Sequence, residues 1–507
     1  MPARFLRTLN RFLNGVTMYR LLLYGLWVLA AVAFALAFLD ALPFSVWALT
    51  GSLVASVVAC YGTNWVLARV WKVASNSESY LLTALILFFI LPPTTTAARL
   101  AAIFVAAVVA IASKYLLVLR RRNVFNPAAI GAVIIGLLGL LQATWWVGSG
   151  VLLPFTLVLG LLVVHKIRRF PLVISFTAVS LFVTLLLDAH HGFGFAVSLR
   201  QAFVSSPLIF FGTIMLTEPS TMPPRRLQRI LYGAFTGAVF ACQVHVGSIS
   251  ATPEIALALA NILAFAANPS YNLRLRLKRK TQLGPKLYDF SFTPDRPLIF
   301  MPGQYAAWTL PLAHKDSRGN RRMFTMASSP TEKEIHIGVK FSEPSSKFKR
   351  ALLAMQPGDA VEVGQIAGDF TLPKDPAQKL VFVAGGIGVT PFRSMLKYLL
   401  DTGQKRDIVV LYVVTRPGDL VYDGVLRQAE MTGVRIVKVL THTQPPDDWK
   451  GLRGHLTSEI FAREVPDYAT RVFYLSGPKA MVDAGRAVLR KLGVKRRHIV
   501  LDYFPGY

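Results

Sequence analysis

The stretch Val381-Phe382-Val383-Ala384-Gly385-Gly386-Ile387-Gly388-Val389-Thr390-Pro391 runs from a short apolar segment through three glycines to a proline. An apolar run of this length, bounded by glycine, reads as a buried strand of a parallel sheet. Pro391 suits the first turn of a helix, and the helical pattern continues from Phe392 to Leu400. Glycines at such a turn let the chain approach a pyrophosphate, and the helix N-terminus turns its free N–H groups toward an anion. Many strand–glycine–helix turns are only structural, so the neighbouring segments decide. Further strands are expected over Ile408 to Val414, Val434 to Leu440 and Val472 to Leu475. The last runs into Ser476-Gly477-Pro478 and another helix. Strands alternating with helices mean a doubly wound parallel sheet, an α/β domain over residues 376–507.

Upstream, residues 271–375 change rhythm. Pro302-Gly303-Gln304-Tyr305 is read as the end of a strand, followed by Arg321-Arg322-Met323-Phe324-Thr325 and Ser328-Ser329-Pro330. A strand is expected from His336 to Phe341, a helix start at Ser345-Ser346-Lys347-Phe348, and a glycine-containing loop from Gly364 to Phe370. The order is that of a small antiparallel β-barrel with one capping helix.

Together these segments carry an ordered set of motifs. They are Arg-x-Phe-Thr, Gly-x-x-x-Gly-x-Phe, Gly-Gly-x-Gly-Val-Thr-Pro, Gly-Pro and a terminal Phe-x-Gly-Tyr. The set resembles the ferredoxin–NADP reductase family over nearly all of residues 281–507. The resemblance implies an FAD-binding barrel and an NAD(P)-binding domain that form an FAD-dependent NAD(P)H:acceptor oxidoreductase. It implies that Arg322 pairs with the FAD pyrophosphate through its planar fork. Phe324 would pack on the flavin or its chain, with Tyr305 nearby, and Thr325 would hydrogen-bond the ring near N5. Ser345 and Ser346 would cap a helix that faces the pyrophosphate. Gly385, Gly386, Gly388, Thr390, Pro391, Gly477 and Pro478 would cradle the nicotinamide dinucleotide. Asp502, Phe504 and Tyr507 would lie near the rings, so Thr325, Ser476 and Asp502 are the candidate catalytic groups. Two positions depart from the family pattern: Ser476 stands where a Cys usually precedes Gly-Pro, and Asp502 where the acidic residue is often Glu. The strand end Val413-Val414-Thr415-Arg416 is where a 2′-phosphate would be read, and the choice between NADH and NADPH stays open.

The first half is a different kind of sequence. The chain has 507 residues, 53% hydrophobic and only 16% charged, too apolar for an ordinary soluble enzyme. Long apolar runs fill it to about residue 270. The ten expected spans lie near 20–39, 44–68, 80–92, 99–118, 127–143, 150–165, 171–187, 203–217, 228–245 and 253–267. The basic N-terminal segment, residues 1–19, precedes a first span read as retained, because no small-residue cleavage pattern ends it. The net charge of +28 first suggests nucleic acid. Yet the basic patches sit in short loops: Arg4, Arg7 and Arg11; Arg69 and Lys72; Lys114 and Arg120 to Arg122; Lys166, Arg168 and Arg169; Arg225, Arg226 and Arg229; Arg274 to Lys280. All precede span one or follow an even-numbered span, while Gln142 to Gly150 and Val246 to Thr252 are nearly uncharged. The positive-inside rule then places both termini in the cytoplasm, in a multi-pass protein of a bacterial-type inner membrane. No nucleic-acid partner is expected.

Spans three and eight are short and end in Leu91-Pro92-Pro93-Thr94-Thr95-Thr96 and Leu216-Thr217-Glu218-Pro219-Ser220-Thr221. Interrupted helices at equivalent places in two halves of five imply an inverted repeat. Thr94, Thr95, Thr217, Ser220 and Thr221 would line a polar ligand, or simply cap helices. Asn126 would cap the helix that Pro127 opens. This layout, with Tyr80-Leu81-Leu82-Thr83 and Phe125-Asn126-Pro127, resembles the NqrB/RnfD family, the membrane fold shared by the ion-translocating NADH:quinone reductase and the Rnf complex. The resemblance covers roughly residues 20–270 and implies ten helices in inverted halves that carry flavin. The family's Ser-Gly-Ala-Thr attachment motif for FMN is missing, and the corresponding stretch reads His190-His191-Gly192-Phe193-Gly194-Phe195. A second flavin, FMN or riboflavin, is therefore expected to be non-covalent, near Thr94, Asn126 and Thr217 to Thr221. Cys60 and Cys242 have no metal-ligand spacing, and no metal site is expected. The acceptor would be this flavin, a quinone or an extracytoplasmic flavin-binding partner. Two rival readings fit less well. A haem-containing ferric reductase needs His pairs inside facing helices, and His165, His190, His191 and His245 lie at span ends or in a loop. A transporter with a regulatory flavodomain leaves the redox motifs without use.

Overall fold

A computed structural model describes residues 9, 13, 16–71, 77–120, 122–242, 245–246, 249–267, 272–312, 319–441, 447 and 449–504. Arg4, Arg7, Arg11, Lys72, Arg121 and Tyr507 lie outside the described residues, as do the side chains of His245 and Phe504. The chain forms two compact units, Met1–Tyr271 and Asn272–Tyr507.

The first unit is helical. Its helices are α1 Met18–Phe38, α2 Val46–Val70, α3 Ser77–Ile90, α4 Ala97–Leu116, α5 Pro127–Leu137, α6 Leu153–Ile167, α7 Phe170–His190 and α8 Phe195–Val204. Then come α9 Leu208–Phe210, running into a π-helical turn Phe211–Met215, α10 Arg226–Ala241 and α11 Pro253–Ala266. Helix occupies each of the ten expected positions, the eighth as two pieces bent by 58°. Among the described residues, however, only α1, α2, α4 and α7 are long and apolar enough singly to cross a core of ~30 Å. An apolar window does not show where a helix stops. The expected span at 127–143 ends at Leu137, because Gly139 turns left-handed at φ +68°. The eighth stops at Met215, at the proline segment expected to end it, and a further break at Ser205–Pro207 separates it from α8. Two polar contacts tie α11 to other segments of this unit. Trp145 Nε1 donates to Glu254 Oε2 at 2.8 Å, and Asn261 accepts from the Asn126 N–H at 2.9 Å.

The second unit begins at β1, Leu273–Gly284, seven positions after Ala266. Leu273, Leu275 and Leu277 point into a barrel while Arg274, Arg276 and Lys278 point out, the period-2 pattern of a half-buried strand. The barrel continues with β2 Leu287–Pro294, β3 Tyr305–Thr309, β4 Arg321–Thr325, β5 Ile335–Lys340 and β6 Ala360–Ala367. Its order is β4-β3-β6-β1-β2-β5, all antiparallel. Tyr305 opens β3 and does not close a strand as expected; Gly303, at φ +91°, makes the turn before it. Helix α12, Lys347–Ala354, plugs the barrel with Phe348 and Leu352.

A parallel sheet follows: β7 Leu380–Gly385, β8 Ile408–Val414, β9 Arg435–Leu440, β10 Leu452–Arg453, β11 Val472–Pro478 and β12 Ile499–Phe504. The order β10-β9-β8-β7-β11-β12 places the switch of winding direction between β7 and β11. Helices α13 Thr390–Thr402, α14 Asp423–Glu430, α15 Ser458–Glu464 and α16 Lys479–Lys491 complete the domain. Phe382 and Phe392 stack at 4.6 Å between strand and helix. Arg393 Nη1 donates to Ala327 O at 2.9 Å, and Ser394 Oγ to Ser328 O at 2.6 Å, tying α13 to the barrel.

At the far end of this sheet, buried Arg471 holds Asp407 with both terminal nitrogens, at 2.7 and 3.1 Å, and Asp467 at 2.6 Å. The Arg471 bond, with Lys379 beside it, lowers the Asp467 carboxyl to about 2 from an ordinary 3.8. Its folded value lies below its unfolded one, so its stabilisation is present above the ordinary value and is lost as pH falls from about 4 to 2. The side chain is partly solvated, so the loss should be only about 1 kcal/mol. Asp467→Asn should show a smaller fall in thermal midpoint over that range than the wild type in detergent; an equal fall would remove Asp467 as the cause.

Candidate nucleotide and flavin site

Strand β4 alternates its side chains so that Arg322 and Phe324 share a face, while Thr325 at its end is buried. Arg322 and Phe324 converge on Phe348 in the first turn of α12. The Phe324 and Phe348 rings are 5.9 Å apart, and Arg322 Cζ stands 5.2 Å from the Phe348 centroid. Arg322 Nη1 also donates to Gly319 O at 3.1 Å and Arg321 O at 2.8 Å, which fixes the fork. Ser346 caps α12, its hydroxyl accepting the Lys349 N–H at 3.2 Å. Ser345 does not cap: its hydroxyl bonds back to Ser342 O and tightens the turn before the helix. A guanidinium beside a helix N-terminus is a donor set suited to a pyrophosphate. Tyr305 pairs with Thr325 across β3–β4, and its ring lies against Gly368, whose left-handed φ of +118° turns the chain beneath it.

The second cluster sits at the switch point, where open parallel sheets bind their ligands. A Cβ on Gly388 would stand 2.6 Å from Gly477 Cα, and one on Gly477 would stand 2.9 Å from Gly385 Cα. These glycines let the loop after β7 lie directly on the end of β11. Gly386, at φ +52°, faces open space. Thr390 Oγ1 donates to Ile387 O at 3.1 Å, and Pro391 occupies the first turn of α13. Ser476 is fully buried beside this loop, and its hydroxyl has no partner among the described residues. It lies opposite Ala384 on one side and Asp502 on the other. Burial lifts the Asp502 carboxyl to about 6. Pro478 ends β11 opposite the backbone of Phe504. The open face at Gly386 and the unpartnered Ser476 hydroxyl fit a dinucleotide. Thr415 and Arg416 are exposed just after β8.

The four residues expected to hold a flavin in the helical unit bond to other groups of that unit. The Thr94 N–H donates to Ser52 Oγ at 3.0 Å, and Asn126 caps α5 through the Ala128 and Ala129 N–H groups. Thr217 Oγ1 bonds back to Thr213 O at 2.8 Å, and Thr221 Oγ1 to Glu218 O at 3.5 Å. Among the described residues no hydrogen bond joins any two of these four. Sequence reasoning missed Phe348 as the meeting point of Arg322 and Phe324, and missed Asp289, Gly338 and Tyr422, which join the barrel to the sheet. Phe348 was legible as the apolar residue beside a cap; the other three come from segments far apart in the chain.

Residues 382–487 match a family model described as the oxidoreductase NAD-binding domain. The chain is 29% identical over 219 residues to the glycine betaine monooxygenase reductase subunit of Chromohalobacter salexigens, covering 41% of this chain and 58% of that one. It is 28% identical over 247 residues to the reductase component of propane 2-monooxygenase from Rhodococcus jostii, 47% of this chain and 65% of that one. It is 30% identical over 199 residues to a component of the Na(+)-translocating NADH-quinone reductase of Pseudomonas aeruginosa, 36% of this chain and 49% of that one. The chain thus spans less than two thirds of each of these relatives. By its sheet topology, its glycine site and these matches, the second unit is an enzyme unit of the nicotinamide-dependent oxidoreductase class.

Proposed function

We propose that the chain is a membrane-bound NAD(P)H-dependent flavin oxidoreductase. Its second unit takes electrons from cytoplasmic NAD(P)H through FAD and delivers them to the helical unit. The receiving group is a second flavin, a quinone or an extracytoplasmic flavin-binding partner. The observation that carries this reading is a single polypeptide that holds both an oxidoreductase nucleotide site and long apolar helices. The two halves also point to one kind of assembly. The first resembles the membrane fold of an ion-translocating NADH:quinone reductase, and the second is similar to a component of the Pseudomonas aeruginosa enzyme of that type.

FAD, when bound, supplies two-electron acceptance and one-electron release. Arg322 and the first turn of α12 hold its pyrophosphate, and Thr325 and Tyr305 border the ring. Gly385, Gly386, Gly388 and Gly477 receive the dinucleotide. Asp502 titrates near 6, so the rate of flavin reduction should rise as pH increases through that value and a carboxylate forms beside Ser476. Asp502→Asn should flatten this limb; an unchanged profile would assign the titration elsewhere.

The helical unit lies in a bacterial-type inner membrane with both termini cytoplasmic, as its basic loops direct. Its second flavin is held without a covalent bond near Thr94, Asn126 and Thr217 to Thr221. The purified full-length protein should show a flavin spectrum that bleaches with NADH or NADPH. Denaturation should release more than one flavin per chain and leave a non-fluorescent polypeptide. A haem spectrum would replace this reading with the ferric-reductase one. A single released FAD would restrict the helical unit to docking quinone or a partner, and a fluorescent band would show covalent attachment.

A further inference from the structure

The barrel and the parallel sheet of the second unit meet closely at Gly338. Gly338 lies in β5 opposite Asp289 of β2. A Cβ on Gly338 would stand 2.6 Å from the Tyr422 hydroxyl, 2.8 Å from Thr390 Cγ2 and 2.9 Å from Ile387 Cδ1. The missing side chain leaves a notch in the barrel wall. Ile387 and Thr390, from the glycine loop and the start of α13, fit against it. Through the same notch Tyr422, just before α14, donates its hydroxyl to Asp289 Oδ1 at 2.8 Å.

Asp289 is held ready for that bond. Its other oxygen lies 2.7 Å from His336 Nδ1, and both residues are buried. The His336 N–H in turn donates to Ser328 Oγ at 3.1 Å, on the segment that α13 grips through Arg393 and Ser394. Tyr422 stands at φ +63°, a conformation that a bulky residue keeps only where its surroundings enforce it. Arg393 Cζ lies 5.8 Å from its ring centroid. Burial, with the Asp289 charge beside it, holds the Tyr422 hydroxyl well above the ordinary tyrosine range, so it stays a donor.

We infer that Tyr422 is a positioning residue for hydride transfer, whose bond to Asp289 through the Gly338 notch sets the nucleotide loop at its working distance from the flavin barrel. The inference rests on the reading that this unit passes hydride from NAD(P)H to FAD. Transfer between two bound rings falls steeply with misplacement, by roughly a hundredfold for a shift of about 1 Å. Losing one bond among several ties should cost less than that, on the order of tenfold. A residue that merely touched the nucleotide would change its affinity instead.

The test uses the full chain in detergent. In Tyr422→Phe, FAD content should be normal and the KM for NADH should stay within about twofold, while the limiting rate of FAD reduction falls about tenfold. Asp289→Ala should match it, and the double variant should be no worse than either single one. Asp289→Asn keeps an acceptor oxygen and should restore most of the rate. A second readout needs no turnover: without nucleotide, amides of Ile387 to Thr390 should exchange with deuterium faster in the Phe and Ala variants and at the wild-type rate in Asp289→Asn. Wild-type rates and exchange in Tyr422→Phe would overturn the inference alone. So would a raised KM with an unchanged limiting rate, which would make Tyr422 a nucleotide contact. Failure of the wild-type chain to reduce FAD with either nicotinamide would overturn the functional reading and this inference with it.

Discussion

Replacing Gly388 with alanine should slow reduction of bound FAD by NAD(P)H on the order of a hundredfold, with FAD still bound. The added Cβ would fall 2.6 Å from Gly477 Cα and against the Ser476 carbonyl. Both are backbone and cannot rotate aside, so the loop must lift from β11, and with it the amides proposed to receive the dinucleotide. Gly386 provides the contrast. Its neighbourhood is open but its φ is +52°, so Gly386→Ala should cost about 1 kcal/mol of local backbone strain with a smaller kinetic effect. Rapid-mixing absorbance of the flavin, with the ratio of FAD to protein measured alongside, separates the two. A Gly388→Ala chain that is reduced at the wild-type rate would remove this loop from the nucleotide site.

Arg322→Ala should weaken FAD retention by about 1.5–3 kcal/mol, roughly 10- to 150-fold in affinity, as for loss of a charge-assisted contact. The variant also strips the cation from the face of Phe348, so the pocket wall loses its packing. Arg322→Lys should recover little, because an ammonium cannot reproduce the planar fork that Gly319 O and Arg321 O orient. Dialysis followed by flavin counting is the measurement. Full FAD occupancy in Arg322→Ala would move the pyrophosphate elsewhere.

The parallel sheet was legible because its evidence is local. Val381 to Pro391 carries strand, glycine loop and helix start in one unbroken run, and the structure places them so. The cap at Ser346 and the cap at Asn126 were legible for the same reason: a short polar side chain satisfies N–H groups two or three residues on. Helix length was not. Apolar residues continue past Leu137, but the stop is made by the conformation of Gly139, which composition does not encode. The turn at Gly303 likewise hid the true start of β3. Least legible was the tie between Asp289 and Tyr422, 133 residues apart, which depends on an absent side chain in a third strand. A glycine in the middle of a strand was the one local hint, and such a glycine often marks a close approach.

The short join between α11, ending at Ala266, and β1, starting at Leu273, has a kinetic meaning. Two proteins that exchange electrons by diffusion depend on how often they meet. For the electron transfer proposed between them, two units on one chain, joined by a brief peptide, stand at an effective concentration on the order of millimolar, whatever their abundance in the cell. Turnover per molecule should then be independent of dilution. A second unit supplied from a separate chain should reach the same rate only when added in large excess.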